Sequence, residues 1–200
     1  MKIVRLACCV SAAFTLHAYA AEPAIAPATR AAFEAITADP LVKRGLDFLK
    51  ADDANTLADQ KALVVIPAPP FKEQARAENF RARLAALGLK DVRIDKEGNA
   101  IGVRPGSGNG PKLVVAAHLD TVFPEGTDLT IKEKDGKLYA PGIGDDTRGL
   151  ADLLSLIRAF NATDVKTTGD IIFVGNVGEE GLGDLRGVKA LFREIGRAHV

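Results

Sequence analysis

The sequence predicts an α/β domain on a mixed, largely parallel sheet flanked by helices, and three observations carry that expectation. Leu113 to Ala117 and Ile171 to Val174 are short, continuously apolar runs, the pattern of strands covered on both faces. Between them, Gly149 to Phe160 repeats Leu150, Leu153, Leu154 and Ile157 at helical spacing. Strand, helix, strand in that order reads as a βαβ unit, whose crossover packs helices against the sheet.

The elements follow in chain order. Residues 1–20 read as a secretory signal: Lys2 and Arg5 open it, Leu6 to Leu16 is apolar and small, and Ala18-Tyr19-Ala20 supplies the cleavage site. The mature protein is then expected to be exported, periplasmic or secreted, with no membrane association after cleavage. Both cysteines, Cys8 and Cys9, leave with the signal, so the mature chain has no thiol for a disulfide, a thiolate metal site or a nucleophile. Residues 21–40 are Ala- and Pro-rich and are expected to be a linker running into a first helix. Val42 to Leu49 and Ala54 to Leu63 have helical spacing, and Pro67-Ala68-Pro69-Pro70 interrupts both helix and central strand. Lys72 to Leu87 is the clearest amphipathic helix: Ala77, Phe80, Leu84 and Leu87 form one face, Arg and Glu take the other, and Gly88 ends it. Asp91 to Asp95 and Asn99 to Val103 read as paired strands, and the glycines and prolines of Arg104 to Pro111 as a loop. At the far end, Glu194 to Val200 reads as a translated sequencing adapter, so residues 194–200 are expected to be non-native.

Composition sets outer bounds on function. The 200 residues hold 26 Lys+Arg against 26 Asp+Glu, with 47% hydrophobic and 26% charged residues. That mixture is globular, and the neutral balance argues against nucleic-acid binding by bulk positive charge.

Charge is local instead. In open α/β sheets, functional groups collect at the carboxyl ends of strands. His118-Leu119-Asp120 follows the first apolar run, Glu179-Glu180 follows the second, and Asp145-Asp146 precedes the intervening helix. Three loops thus bring one imidazole and five carboxylates to one sheet edge. Carboxylates so crowded repel one another or take up protons unless a cation compensates. Imidazole nitrogen and carboxylate oxygens without thiolate suit zinc or a similar divalent ion, and six groups suit two ions better than one. Each piece alone has an ordinary reading: a hydrogen-bonded histidine, a solvated Glu-Glu turn, an Asp-Asp helix cap. Their shared location outweighs those readings. Gly142-Ile143-Gly144-Asp145-Asp146-Thr147 lacks the third glycine of a dinucleotide loop, and Gly106 to Lys112 lacks the ending of a phosphate loop.

Taken as a set, Ala117-His118-Leu119-Asp120-Thr121-Val122-Phe123-Pro124, Tyr139-Ala140-Pro141-Gly142-Ile143-Gly144-Asp145-Asp146 and Val177-Gly178-Glu179-Glu180-Gly181 resemble the M20 metallopeptidase family. Ile66-Pro67-Ala68-Pro69 and Glu97-Gly98-Asn99-Ala100-Ile101-Gly102 match its earlier landmarks. The resemblance implies a zinc-peptidase-like catalytic domain, of which residues 41–193 are the N-terminal part. It implies that His118 binds one zinc and that Asp120 orients that histidine. Asp145 would bridge two zincs and Glu180 would be a terminal ligand of one, with Mn2+ or Co2+ as alternative ions. Glu179 would be the general base, taking a proton from a bridging water that attacks the peptide carbonyl. The implied substrates are small peptides or, in the same family, N-acyl amino acids; a non-catalytic binding module that kept the fold is the alternative from another class. Arg148 stands one place beyond the lysine common in such proteins. A further acidic ligand, a late histidine and a smaller lid domain, often a dimerisation surface, complete the family pattern and lie outside the matched motifs. The 200-residue chain alone is therefore expected to be inactive, and the whole protein homodimeric.

Overall fold

Residues 25–196 are described by a computed structural model; the signal expected over 1–20 and the end of the expected tail, 197–200, lie outside them. Four helices come first: α1 (Pro27–Ala38), α2 (Pro40–Ala51), α3 (Asp53–Val64) and α4 (Gln74–Ala86). Helix α1 occupies most of the stretch expected to be a linker. Pro27 sits in its first turn, where a missing N–H costs nothing, and alanines carry it onward, but it buries no residue. Asp39 starts α2 by accepting the Leu41 N–H at 2.7 Å and the Val42 N–H at 3.2 Å.

The strands β1 (Lys90–Ile94), β2 (Ala100–Arg104), β3 (Leu113–His118) and β6 (Ile171–Asn176) form one sheet in the order β1-β2-β6-β3. The sheet is mixed as expected, but only β3–β6 is parallel; β1–β2 and β2–β6 are antiparallel. Sequence periodicity shows which residues are strands, whereas direction depends on the crossovers. Helix α5 (Thr147–Thr163) makes the one parallel crossover, and the Asp95–Asn99 turn makes β1 and β2 a hairpin. A separate two-stranded hairpin, β4 (Lys132–Lys134) with β5 (Lys137–Tyr139), turns at Asp135-Gly136 with φ +52° and +69°. Its three-residue strands are too short to show in the pattern.

The two faces of β6 divide the core. Ile171 and Phe173 pack with Phe80, Leu84, Leu150, Leu154 and Ile157 of α4 and α5. Ile172 and Val174 pack with Ile101 and with Leu191 of α6 (Arg186–Ile195). Gly175 lets α4 approach closely, because a Cβ there would lie 2.8 Å from the Phe80 ring. Strand β3, expected to be covered on both faces, is instead at the edge of the described sheet. Leu113 is 55% exposed, and only Ala117 and His118 are buried. Helix α4 also departs from expectation. Its apolar face is as read, but Arg76 is fully buried rather than solvated.

Register is what creates a site. His118 is level with Asn176 across the parallel pair, and Ala100 with Gly175 across the antiparallel one. The segments after β3 and β6 and before β2 therefore meet at one edge. Among the described residues no helix is long and apolar enough to cross a membrane.

Candidate metal centre

His118 ends β3 and is 9% exposed. Its backbone N–H donates to Asp146 Oδ2 at 3.0 Å, and its Nδ1 lies 3.0 Å from the Asp120 carbonyl, against 3.7 Å to the Asp120 carboxylate. Donation from Nδ1 to that carbonyl directs Nε2 outward, 2.7 Å from Asp145 Oδ1. Burial opposes charge on this imidazole, but the carboxylates of Asp120 and Asp145 prevail and push its pKa up to about 9. The pocket favours a cation at Nε2.

The five carboxylates divide into two kinds. Asp120 is fully buried, and its two oxygens accept the backbone N–H groups of Glu179 at 3.1 Å and Glu180 at 2.9 Å. Burial alone raises its pKa, yet the His118 contact and those N–H donors hold it below the ordinary range. Asp120 thus orients His118 through its carbonyl, while its carboxylate fastens the loop after β6. Asp146 caps α5 by accepting the Gly149 N–H at 3.0 Å as well as holding the His118 N–H; its pKa is raised, chiefly by burial. These two carboxylates are used up by the fold. Asp145, Glu179 and Glu180 are not.

His118, Asp145 and Glu180 each offer one ligand atom, and these atoms lie within 4.8 Å of one another. Two donors on a tetrahedral zinc are about 3.4 Å apart, so these side chains would close in by up to about 1.4 Å to share one ion. Glu180 has its pKa raised by burial and then by the charge of Asp145, the mark of negative charge lacking a counter-ion. Glu179 is exposed beside it.

The Asp145 loop is held from below. Thr147 Oγ1 donates to the carbonyls of Gly142 at 2.9 Å and Ile143 at 3.0 Å, and Gln60 Nε2 reaches the Ile143 carbonyl at 2.6 Å. The Asp145–Asp146 peptide is cis. Asn99, fully buried, accepts the Val177 N–H at 3.0 Å and donates to Asp95 Oδ2 at 2.7 Å and the Gly187 carbonyl at 2.9 Å. The pattern of the sequence singles out neither Gln60 nor the role of Asn99, since both act through backbone atoms of distant segments. Arg148 turns away, with its Nε 2.9 Å from Asp152 on the same helix.

The edge of a mixed α/β sheet thus carries one histidine and three carboxylates that the fold does not use. The model of peptidase family M20/M25/M40 matches residues 114–199, the segment that carries His118, Asp145 and Glu180. It is 34% identical over 131 residues to a putative LysW-lysine/LysW-ornithine hydrolase of Pyrococcus abyssi, covering 66% of this chain and 34% of that protein. It is 29% identical to the succinyl-diaminopimelate desuccinylase of Corynebacterium glutamicum, covering 72% of this chain and 39% of the relative. Among solved structures, a tripeptidase of Staphylococcus aureus superposes with a TM-score of 0.60 at 30% identity, covering 72% of this chain and 40% of that one. The chain spans little more than a third of the length of these curated relatives.

Proposed function

We propose that the protein is a zinc-dependent hydrolase of small peptides or N-acyl amino acids. The observation that carries this is the division of carboxylates: Asp120 and Asp146 are consumed by backbone N–H groups, whereas Asp145 and Glu180 converge on His118 Nε2 with no other cation paired to them among the described residues. His118, Asp145 and Glu180 would hold the ion, with Asp145, the most exposed of the three, placed to share a second one. A divalent ion there supplies a Lewis acid for an amide carbonyl and acidifies a water. Glu179, whose carboxylate accepts no hydrogen bond among the described residues, would take a proton from the attacking water and return it to the departing amine. Asp120 keeps Glu179 and Glu180 in place by their backbone.

Two substrate classes have support. The tripeptidase favours short peptides, and the desuccinylase keeps N-acyl amino acids open. Export by the segment 1–20 and dimerisation of the whole protein belong to the same proposal. Hydrolysis of di- and tripeptides and of N-acyl amino acids by the product of the complete gene tests it. Turnover lost in Glu179→Gln with metal retained is the expected result. No turnover of either class by the metal-loaded protein overturns it in favour of a binding module.

A further inference from the structure

Arg76 is the largest fully buried side chain of the described residues, and no step of the chemistry above uses it. Its guanidinium is divided between two places. Nε and Nη2 donate to the Ile66 carbonyl at 3.1 and 2.7 Å, just past the end of α3. Nη1 donates at 2.7 Å to the Leu119 carbonyl, in the peptide that links Leu119 to Asp120. A cation at a helix C-terminus is an ordinary device, but the Nη1 arm is not part of it. That arm spans from α4 to the turn that positions both the imidazole and the carboxylate beneath the Glu179–Glu180 loop. The same turn is held on its far side by the Thr121 N–H, which donates to the Ala68 carbonyl at 3.0 Å. Thr121 Oγ1 also donates to the Ala68 carbonyl at 3.3 Å, so Thr121 and Arg76 together join the segment after α3 to the turn after β3.

From this geometry we infer that Arg76 is a positioning residue of the metal centre, fixing the His118-Leu119-Asp120 turn through the Leu119 carbonyl. The inference rests on the reading of the site as a metal centre. Burial lowers the pKa of Arg76 to about 10, with the Asp120 charge opposing the fall, so the guanidinium stays charged at neutral pH. A planar fork reaches two carbonyl sites at once; an ammonium reaches one, and a thioether neither.

The product of the complete gene is compared as wild type, Arg76→Lys and Arg76→Met, with Leu84→Ala as a core deletion on the same helix that does not touch the turn. Two measurements are made: amide hydrogen exchange without metal, and Co2+ binding by titration. Arg76→Met speeds exchange of the Thr121, Glu179 and Glu180 amides by about tenfold relative to α5 amides, and weakens Co2+ binding by about tenfold or more. Arg76→Lys shows smaller shifts of the same pattern, and Leu84→Ala leaves these ratios unchanged. If Arg76→Met fails to fold, Arg76→Lys carries the comparison. Exchange at those amides that merely follows global stability, as in Leu84→Ala, overturns the inference. Absence of Co2+ binding by the wild type contradicts the metal centre instead, and the exchange ratios still decide whether Arg76 fixes the turn.

Discussion

Two acidic clusters in this molecule are built from the same residue types and end in opposite states. Under helix α5, Asp52 and Asp59 meet arginines: Arg158 donates to Asp52 at 2.8 Å and to Asp59 at 2.6 Å, and Arg83 donates to Asp59 at 2.5 Å. Ser155 and Asn55 add hydrogen bonds to Asp52. At the sheet edge, Asp145, Glu179 and Glu180 share a single histidine. A carboxylate cluster with its own arginines serves stability; one left short of cations is built to receive something. The difference is one of partners, not of composition.

The sharpest way to break the comparison is Glu179→Gln. Loss of the proton acceptor removes about 10²–10⁴ of turnover in the complete protein, with metal content unchanged by elemental analysis. Loss of metal together with activity would put Glu179 among the ligands. Next in size, Arg158→Met leaves Asp52 buried without its main partner and costs about 3 kcal/mol by urea denaturation. An unchanged urea midpoint would show that this network is not structural. A smaller effect concerns acid. Burial pushes the Asp52 pKa up, but Arg158, Asn55 and Ser155 outweigh it and hold it below its ordinary 3.8. Its stabilising share is therefore complete above that value and is lost as pH falls through the lower folded value. The gap in unfolding midpoint between wild type and Asp52→Asn should close on going from neutral pH to below pH 3; a constant gap would contradict this. Smallest is Glu180→Gln without metal. Relief of repulsion from Asp145 is worth under about 1 kcal/mol at a half-buried, solvent-screened site, and thermal unfolding should shift slightly upward.

Much of this arrangement is legible in the residues, for stated reasons. Ile171 to Val174 is buried on both faces, and a continuous apolar run is its direct signature. Leu113 to Ala117 has the same signature but lies at an edge, because the pattern records what a strand tolerates and not which neighbour covers it. His118, Asp145 and Glu180 are found by where they stand on strands and loops, and the fold brings their ligand atoms together. What the sequence hides is work done through the backbone. Asp120 acts on His118 by its carbonyl, Asp146 is both cap and clamp, and Arg76 reads as solvated because helical periodicity assigns arginine to the outer face. The exposed α1 reads as a linker because the stretch is rich in Ala and Pro, and no residue of the helix is buried.

The central claim is that His118, Asp145 and Glu180 form a metal centre. Titration of the product of the complete gene with Zn2+ or Co2+ tests it most directly, in wild type, His118→Ala and Glu180→Gln, followed by calorimetry. The account expects saturable binding that raises the unfolding temperature of the wild type and is weakened at least about tenfold in both variants. Equal binding in all three, or none in any, would contradict it.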